Sequence, residues 1–303
     1  MPILSSFLAA VIPMIFYLIF LWKMDKYERE PLGYVFRHFL WGAFGAVFFG
    51  IIGSLVFSVP IGAVFNEGTA NLLMTVITAP VVEETAKGYI LFKTTKNKNF
   101  DNLTDGLVYG GAVGLGFGMT ENFLYFIGSS ESFAVWLPVV LIRTAFTAVM
   151  HAISTGAFGA FLAVGKFSPK GKRRLLTFSG LITAMFIHFS WNFSVSFNST
   201  ALFGFFALFV LIVVFLIVLK TSVAKERKMI ERELKDENLN EKTIEKILSP
   251  KDKSVDKNLK KLLVKLAVRK NEFEICAESE KEFYRAEILS VRKLINEALE
   301  GEN

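Results

Sequence analysis

Long apolar segments alternate with short polar segments over the first 220 residues of the chain. About 20 apolar residues are enough for a helix to cross the hydrocarbon core of a bilayer. Seven segments reach roughly that length, and they cover about residues 3–22, 36–63, 71–92, 106–127, 133–164, 175–197 and 201–219. The pattern predicts an all-α polytopic membrane protein with about seven transmembrane helices.

Charge in the connecting segments predicts how these helices are oriented. Cytoplasmic loops of membrane proteins are enriched in Lys and Arg. The basic stretches are Lys23–Arg37, Lys93–Lys98, Lys166–Arg174 and the chain from Lys220 onward. The intervening segments, which hold neither Lys nor Arg, are Asn66–Asn71, Gly128–Ser132 and Asn198–Thr200. With seven spans, every basic stretch falls on one side of the membrane. We therefore expect the N-terminus outside and the C-terminus in the cytoplasm.

Composition excludes several other classes of protein. The 303 residues are 52% hydrophobic with a mean hydropathy of +0.45, which is too apolar for an ordinary soluble domain. The basic residues lie between apolar segments, so the net charge of +6 does not indicate a nucleic-acid partner. A single cysteine, Cys276, cannot form an internal disulfide framework.

The composition changes after residue 220, where the hydrophobic segments end. We therefore divide the chain into a transmembrane domain, residues 1–220, and a cytoplasmic tail, residues 221–303. Leu259, Leu262, Leu263 and Leu266 recur at helical spacing and predict amphipathic helices in the tail. Such a tail would mediate self-association, bind a cytoplasmic partner or lie on the membrane surface.

The most unusual feature of the membrane part is a pair of adjacent glutamates, Glu83 and Glu84, within an apolar segment. A charge at the bilayer centre costs about 2.5–3.5 kcal/mol even on lenient insertion scales. Lys87 follows at i,i+4 and i,i+3, so it can reach either carboxylate and leaves the group net negative. A structural ion pair between helices is one interpretation. A catalytic or ion-binding centre is the other, which intramembrane ionisable residues favour.

Other polar residues are predicted at a similar depth. With a rise of about 1.5 Å per residue, the glutamate pair shares a slab roughly 10–15 Å thick with polar residues from three other helices. These residues are Glu121, Asn122, His151, His188 and Asn192. Small residues at i,i+4 precede Glu121 on its helix and predict close helix packing, which directs Glu121 and Asn122 into the bundle. They are Gly106, Gly110, Gly114 and Gly118.

Two hydrolytic chemistries fit this group of residues. In the first, Glu83 or Glu84 acts as a general base on water, while a histidine and Asn192 stabilise the oxyanion. In the second, a divalent metal such as zinc activates the water. The metal ligands would then be Glu84, Glu121, His151 and His188. The zinc-protease motif His-Glu-x-x-His is absent, and no serine or cysteine nucleophile motif accompanies the membrane histidines.

The order of these motifs resembles the PrsW family of intramembrane proteases, which are distant relatives of the CAAX-processing (CPBP) membrane proteases. The resemblance covers about residues 25–196. Its motifs are Asp25–Pro31, Glu83–Lys87, Gly116–Asn122, the His151 helix with Gly156 and Gly159, and His188–Asn192.

The resemblance implies a multi-pass protease in a prokaryotic cell membrane. Its essential residues would be the paired glutamates, Glu121 and the two histidines, with Asn192 beside His188 and with Lys87 and Asn122 in support. The substrate would be a single-pass membrane protein such as an anti-sigma factor, cut on its extracytoplasmic side. The relatives favour metal-free chemistry, so no cofactor is favoured, and zinc is the alternative. The long tail is not part of the family pattern.

Two other functions use the same residues. Buried Glu, Lys and His also form proton relays in transporters, although this chain has no inverted repeat of broken helices. A non-catalytic scaffold that recruits a partner through its tail is the third hypothesis. Replacing Glu84 with Gln separates them, because it would abolish cleavage, abolish flux or change little, respectively.

Overall fold

The computed structural model describes residues 3–98, 100–237, 239–249 and 252–300. Those residues form helices and connecting turns without any β-strand, which confirms the predicted all-α class. The helices up to residue 235 are α1 (Ile3–Met24), α2 (Leu32–Leu40), α3 (Val47–Val64), α4 (Glu67–Leu73), α5 (Ala79–Thr94), α6 (Leu103–Gly128), α7 (Phe133–Ile142), α8 (Ala148–Lys166), α9 (Lys170–Val195) and α10 (Asn198–Lys235). The tail continues with α11 (Glu241–Leu248), α12 (Lys257–Ile275) and α13 (Lys281–Glu300).

Four helical stretches are long and apolar enough to cross a membrane. They are Ile3–Met24, Leu32–Val64, Phe133–Lys166 and Asn198–Lys235. The other helices of this part are α4 with α5, α6 and α9. They carry the Glu83–Glu84 pair, Glu121 and His188. Polar residues lower the mean hydropathy of these helices, so they are not among the four stretches that length and composition select. The predicted total of seven spans and their orientation stay predictions.

Three π-helical turns join α-helical pieces into longer stretches. They cover Trp41–Ala46, Met74–Thr78 and Arg143–Thr147. The second turn precedes Pro80, which has no N–H group to offer to the carbonyl of Val76 four residues earlier. Single wide turns of this kind are rare and often lie near functional sites. The three turns precede α3, α5 and α8. Helix α5 carries the paired glutamates, and α8 carries His151.

Helix α6 is the central helix of the membrane part, because every residue from 104 to 118 is buried. It packs most extensively against α8. A Cβ atom at Gly110 would overlap the carbonyl oxygen of Thr155, and one at Gly114 would overlap that of His151. The predicted small-residue stripe is therefore confirmed as the surface on which α6 and α8 approach closely. This contact places Glu121 beside the helix that carries His151.

The chain divides into two compact units. The first comprises Met1–Met24 and Glu30–Leu219, and the second comprises Asp25–Arg29 and Lys220–Asn303. The second unit has its own apolar core, in which Ile230 and Leu234 of α10 pack with α11 and α12. The predicted division of the chain at residue 220 into separate domains stays a prediction.

The tail helices α12 and α13 also pack through an apolar seam. Leu266 lies in a cluster with Val291 and Ile295, and Leu259, Leu262 and Leu263 pack against it. The predicted amphipathic face of α12 is therefore confirmed. A buried ion pair between Arg269 and Glu272 lies on the same helix.

Candidate active site

Helix α5 carries the glutamate pair and its lysine. The Lys87 side chain is fully buried, and its Nζ lies 2.8 Å from Glu84 Oε1 and 3.6 Å from Glu83 Oε2. The same ammonium group lies 3.9 Å from the centre of the Phe117 ring. Burial of a cation requires nearby compensating charge. The two carboxylates and the aromatic face supply that compensation.

Glu84 is surrounded by hydrogen-bond donors. Its Oε1 accepts from Lys87 Nζ at 2.8 Å and from Ser154 Oγ at 3.2 Å, and its Oε2 accepts from Thr155 Oγ1 at 3.1 Å. His188 Nδ1 lies 3.0 Å from Oε1. The side chain is 1% exposed. Glu84 therefore holds together α5, α8 and α9 and has little remaining capacity to bind another group.

The hydrogen bond to Glu84 orients His188. A carboxylate only accepts hydrogen bonds, so the Nδ1 atom of His188 carries the proton. In the neutral ring, Nε2 then presents a lone pair, and it lies 3.9 Å from Glu83 Oε2. The rings of His188 and His151 are nearly perpendicular, with centroids 4.8 Å apart. The two histidines predicted at one depth are thus neighbours.

Both ring nitrogens of His151 are engaged. Lys87 Nζ lies 2.9 Å from Nδ1, and Glu121 Oε2 lies 2.8 Å from Nε2. An ammonium group has no acceptor, so Nδ1 accepts a hydrogen bond and Nε2–H donates one. These roles are assigned from the hydrogen-bond network. His151 therefore connects Lys87 to Glu121 and has no free N–H group in this arrangement.

Arg143 completes the polar cluster. Its Nη2 forms an ion pair with Glu121 Oε2 at 2.7 Å, and its Nε donates to Asn122 Oδ1 at 3.1 Å. The guanidinium also lies 3.5 Å from the centre of the Tyr125 ring. Arg143 was not among the site residues predicted from the sequence. The sequence could have indicated Arg143, because an arginine within a long apolar segment needs a buried anionic partner.

Glu83 differs from its neighbour in its surroundings. Its Oε2 atom is buried but has no hydrogen-bond partner among the described residues. The side chain is 15% exposed and faces a cavity of about 310 Å³ between α3 and α6, which Glu121 also lines. Gly50 of α3 lines the same cavity, and a Cβ atom there would lie 3.6 Å from Glu83 Cγ. Glu83 is therefore the glutamate of the pair whose side chain borders this cavity.

The structure brings most of the predicted site residues into one network, but Asn192 has a different partner. Its Nδ2 donates to the carbonyl oxygen of Thr75 at 2.9 Å, in the π-helical turn before α5. Asn122 joins the network through Arg143. The residues that contact one another directly are Glu83, Glu84, Lys87, Glu121, His151 and His188.

One group of side chains has the donor types and spacing of a metal site. Glu83, His151 and His188 each offer a ligand atom, and these atoms lie within 4.8 Å of one another. The set differs from the sequence-based one, which had Glu84 and Glu121 in place of Glu83. Carboxylates on the second nitrogens of metal-binding histidines are common, and Glu84 holds His188 in this way. The donors fit a divalent ion, provided that Lys87 releases Nδ1 of His151 while Glu121 keeps Nε2.

One family model and several named relatives match the membrane part of the chain. A family model described as PrsW family intramembrane metalloprotease matches residues 30–219. The chain is 30% identical over 195 residues to Protease PrsW of Clostridioides difficile strain 630, covering 63% of this chain and 79% of the relative. It is 28% identical over 187 residues to Protease PrsW of Bacillus subtilis strain 168, covering 61% and 80%. No solved structure matches significantly. The matched family region ends at residue 219, before the tail.

Proposed function

Because the chain belongs to the PrsW family of intramembrane proteases, we propose that it hydrolyses a peptide bond of a membrane protein with Glu83 as the water-activating group. The family and its relatives establish the chain as a membrane peptidase. The assignment of Glu83 is supported by one observation above all. Glu83 combines an Oε2 atom without a hydrogen-bond partner among the described residues with a position on a cavity wall.

The proposed reaction begins with a water molecule hydrogen-bonded to Glu83. Glu83 takes one proton from the water, and the resulting oxygen attacks the scissile carbonyl carbon to form a tetrahedral oxyanion. Glu83 then returns the proton to the leaving nitrogen as the C–N bond breaks. A positioned general base contributes about 10²- to 10⁴-fold to such a reaction.

The other residues of the network position and neutralise the reacting groups. Glu84 fixes the ring of His188, whose Nε2 points towards Glu83, and a protonated His188 would donate a hydrogen bond to the oxyanion. Lys87 offsets the negative charge of both glutamates. His151 and Arg143 hold Glu121 at the cavity wall. Asn192 supports the turn that precedes α5.

A divalent metal, which the family description implies, would be held by Glu83, His151 and His188. When bound, a metal such as zinc supplies a Lewis acid that lowers the pKa of a coordinated water to about 7. Glu84 and Glu121 would keep the two histidine rings oriented towards it.

We also propose that all seven helical stretches cross the membrane, with the N-terminus outside and the C-terminus in the cytoplasm. The alternation of basic and non-basic loops supports this topology. The active site would then lie in the outer half of the bilayer. A single-pass protein cut near its extracytoplasmic side, such as an anti-sigma factor, is the proposed class of substrate.

Cleavage of single-span membrane peptides by the purified full-length protein tests the proposal. We expect wild-type protein in liposomes to produce defined fragments, detected by mass spectrometry, with and without a chelator. Cleavage that survives the chelator supports water activation by Glu83 alone. Cleavage that is lost with chelator and restored by zinc supports a metal-dependent reaction, for which Glu83, His151 and His188 are the proposed ligands. Absence of cleavage across the peptide panel would contradict the proposal.

Replacing Gly50 tests whether the cavity is the route to Glu83. Gly50→Leu places a large side chain in the cavity next to Glu83, where a Cβ alone makes ordinary contact. Displacing substrate by about 1 Å lowers rates on the order of 100-fold, and we expect a loss of cleavage of about 10- to 100-fold. Gly62→Leu is the matched control on the same helix, since no atom of the described residues lies within 4 Å of a Cβ atom there. Equal cleavage by the two variants would show that substrate enters elsewhere.

A further inference from the structure

A second cavity, of about 560 Å³, lies away from the glutamate network between α2, its following π-helical turn and α5. These elements run antiparallel. His38 Nε2 lies 2.7 Å from Thr94 Oγ1 near one end, and Trp41 Nε1 donates to the carbonyl oxygen of Ala86 at 3.1 Å further along. Residues that come early in α2 therefore meet residues at the end of α5. The cavity has distinct ends as a result.

One end of this cavity is basic. Arg37 and Lys93 line it, and neither forms an ion pair with a carboxylate in the described part of the chain. Lys93 Nζ lies 4.5 Å from the centre of the Tyr89 ring, which holds the lysine at the cavity wall. Asn97 follows in the polar segment after α5 and adds an amide. Among the described residues that line the cavity, none is acidic. Positive charge without a protein counter-ion favours an anionic ligand.

The other end of the cavity is apolar and exposed on its outer side. Leu40 and Phe44 line it, and these residues are 37% and 66% exposed. Trp41 and Tyr89 form the wall between the two ends, with ring centroids 5.4 Å apart and ring planes tilted by 33°. Tryptophan and tyrosine are enriched at the level of lipid headgroups in membrane proteins. The cavity thus changes from basic to aromatic to apolar along the direction of the helices.

We propose that this cavity binds one anionic phospholipid, with its phosphate between Arg37 and Lys93 and its acyl chains along Leu40 and Phe44. Both parts of the ligand are needed to match both ends of the cavity. Basic pockets between transmembrane helices bind anionic headgroups on the cytoplasmic side. Both residues belong to stretches, Lys23–Arg37 and Lys93–Lys98, that the charge pattern places on that side. The inference is independent of the peptidase mechanism, because neither residue contacts the glutamate network among the described contacts.

Native mass spectrometry of the delipidated full-length protein tests this site. With phosphatidylglycerol we expect one tightly bound lipid per chain, and weaker binding of phosphatidylcholine. Each basic residue near a membrane surface contributes roughly a fivefold gain in binding of anionic lipid. Arg37→Gln with Lys93→Gln should therefore weaken phosphatidylglycerol binding about 25-fold. The exchange Arg37→Lys with Lys93→Arg should retain the preference.

The control removes the same charges elsewhere. Lys172 and Arg174 are exposed at the start of α9 and do not line the cavity. Lys172→Gln with Arg174→Gln should leave phosphatidylglycerol binding unchanged. An equal loss in this control would overturn the proposal, because it would indicate diffuse attraction by surface charge. Saturation by glycerol phosphate alone would also overturn it, because the site would then bind a soluble phosphate.

A second measurement does not depend on removing the basic residues. Brominated phosphatidylglycerol quenches tryptophan fluorescence at short range, and Trp41 lines the cavity. We expect a low mole fraction of brominated phosphatidylglycerol in phosphatidylcholine bilayers to quench wild-type fluorescence, and Trp41→Phe to remove that component. Identical quenching by brominated phosphatidylcholine would contradict a specific anionic-lipid site.

Discussion

Glu83→Gln is expected to lower peptide cleavage at least about 100-fold while leaving the unfolding temperature of the protein close to that of the wild type. The glutamine is nearly isosteric but cannot accept a proton from water. Folding should be little affected, because Glu83 Oε2 has no hydrogen-bond partner among the described residues and Lys87 keeps Glu84 as its closer counter-ion at 2.8 Å. Cleavage assays in liposomes and thermal unfolding in detergent measure the two effects separately.

The matched control is Glu67→Gln, which removes one carboxylate at an exposed position near the start of α4. It should keep full activity, so a loss of activity in Glu83→Gln cannot come from net charge alone. Retention of more than about one-tenth of wild-type cleavage by Glu83→Gln would remove Glu83 from the role of base, since such a base contributes 10²-fold or more.

The same substitution one residue later should have a different effect. Glu84→Gln is expected to destabilise the protein by about 3 kcal/mol and also to abolish cleavage. The change leaves the fully buried Lys87 without its closest counter-ion. It also places an amide NH₂ group among donors from Lys87, Ser154, Thr155 and His188. For a domain of this size the loss corresponds to a fall of roughly 6–12 °C in the unfolding temperature.

A double variant separates the two consequences of the Glu84 change. Replacing a buried ion pair by groups of similar volume is often nearly neutral. Glu84→Gln with Lys87→Met should therefore recover the part of the lost stability that comes from the unpaired Lys87, and it should stay inactive because His188 loses the carboxylate and His151 loses the ammonium group that orient them. If Glu84→Gln unfolds at the wild-type temperature, Glu84 is not the structural centre of the network. If the stable double variant cleaves peptide, the orientation of the histidines is not required.

Much of the membrane part could be predicted because the relevant signals are local. Each of the seven predicted apolar segments corresponds to a helical stretch, although four of them meet the criteria for a membrane span by length and composition. The glycine stripe of α6 was visible from its spacing, and it does pack against α8. The depth of Glu83, His151 and His188 followed from their distance along each helix, because the rise per residue is constant.

The partner of each polar group could not be predicted in the same way. Arg143 was missed although it forms an ion pair with Glu121, and Asn192 hydrogen-bonds to Thr75 near the start of α5. The predicted metal ligands included Glu84 and Glu121, whereas in the structure it is Glu83 that lies at metal-ligand spacing from the two histidines. These contacts join residues that are far apart in the chain, so they depend on which helices are neighbours.

By itself the sequence determined the all-helical class, the apolar segments and the presence of ionisable residues at similar depths, because hydropathy and periodicity are properties of each segment alone. Only the tertiary structure distinguished Glu83 from Glu84. Adjacent residues on a helix point about 100° apart, so one of them faces the donors of α8 and α9 while the other faces the cavity beside α3. The rotation of α5 against its neighbours decides that difference, and this rotation is set by packing between helices.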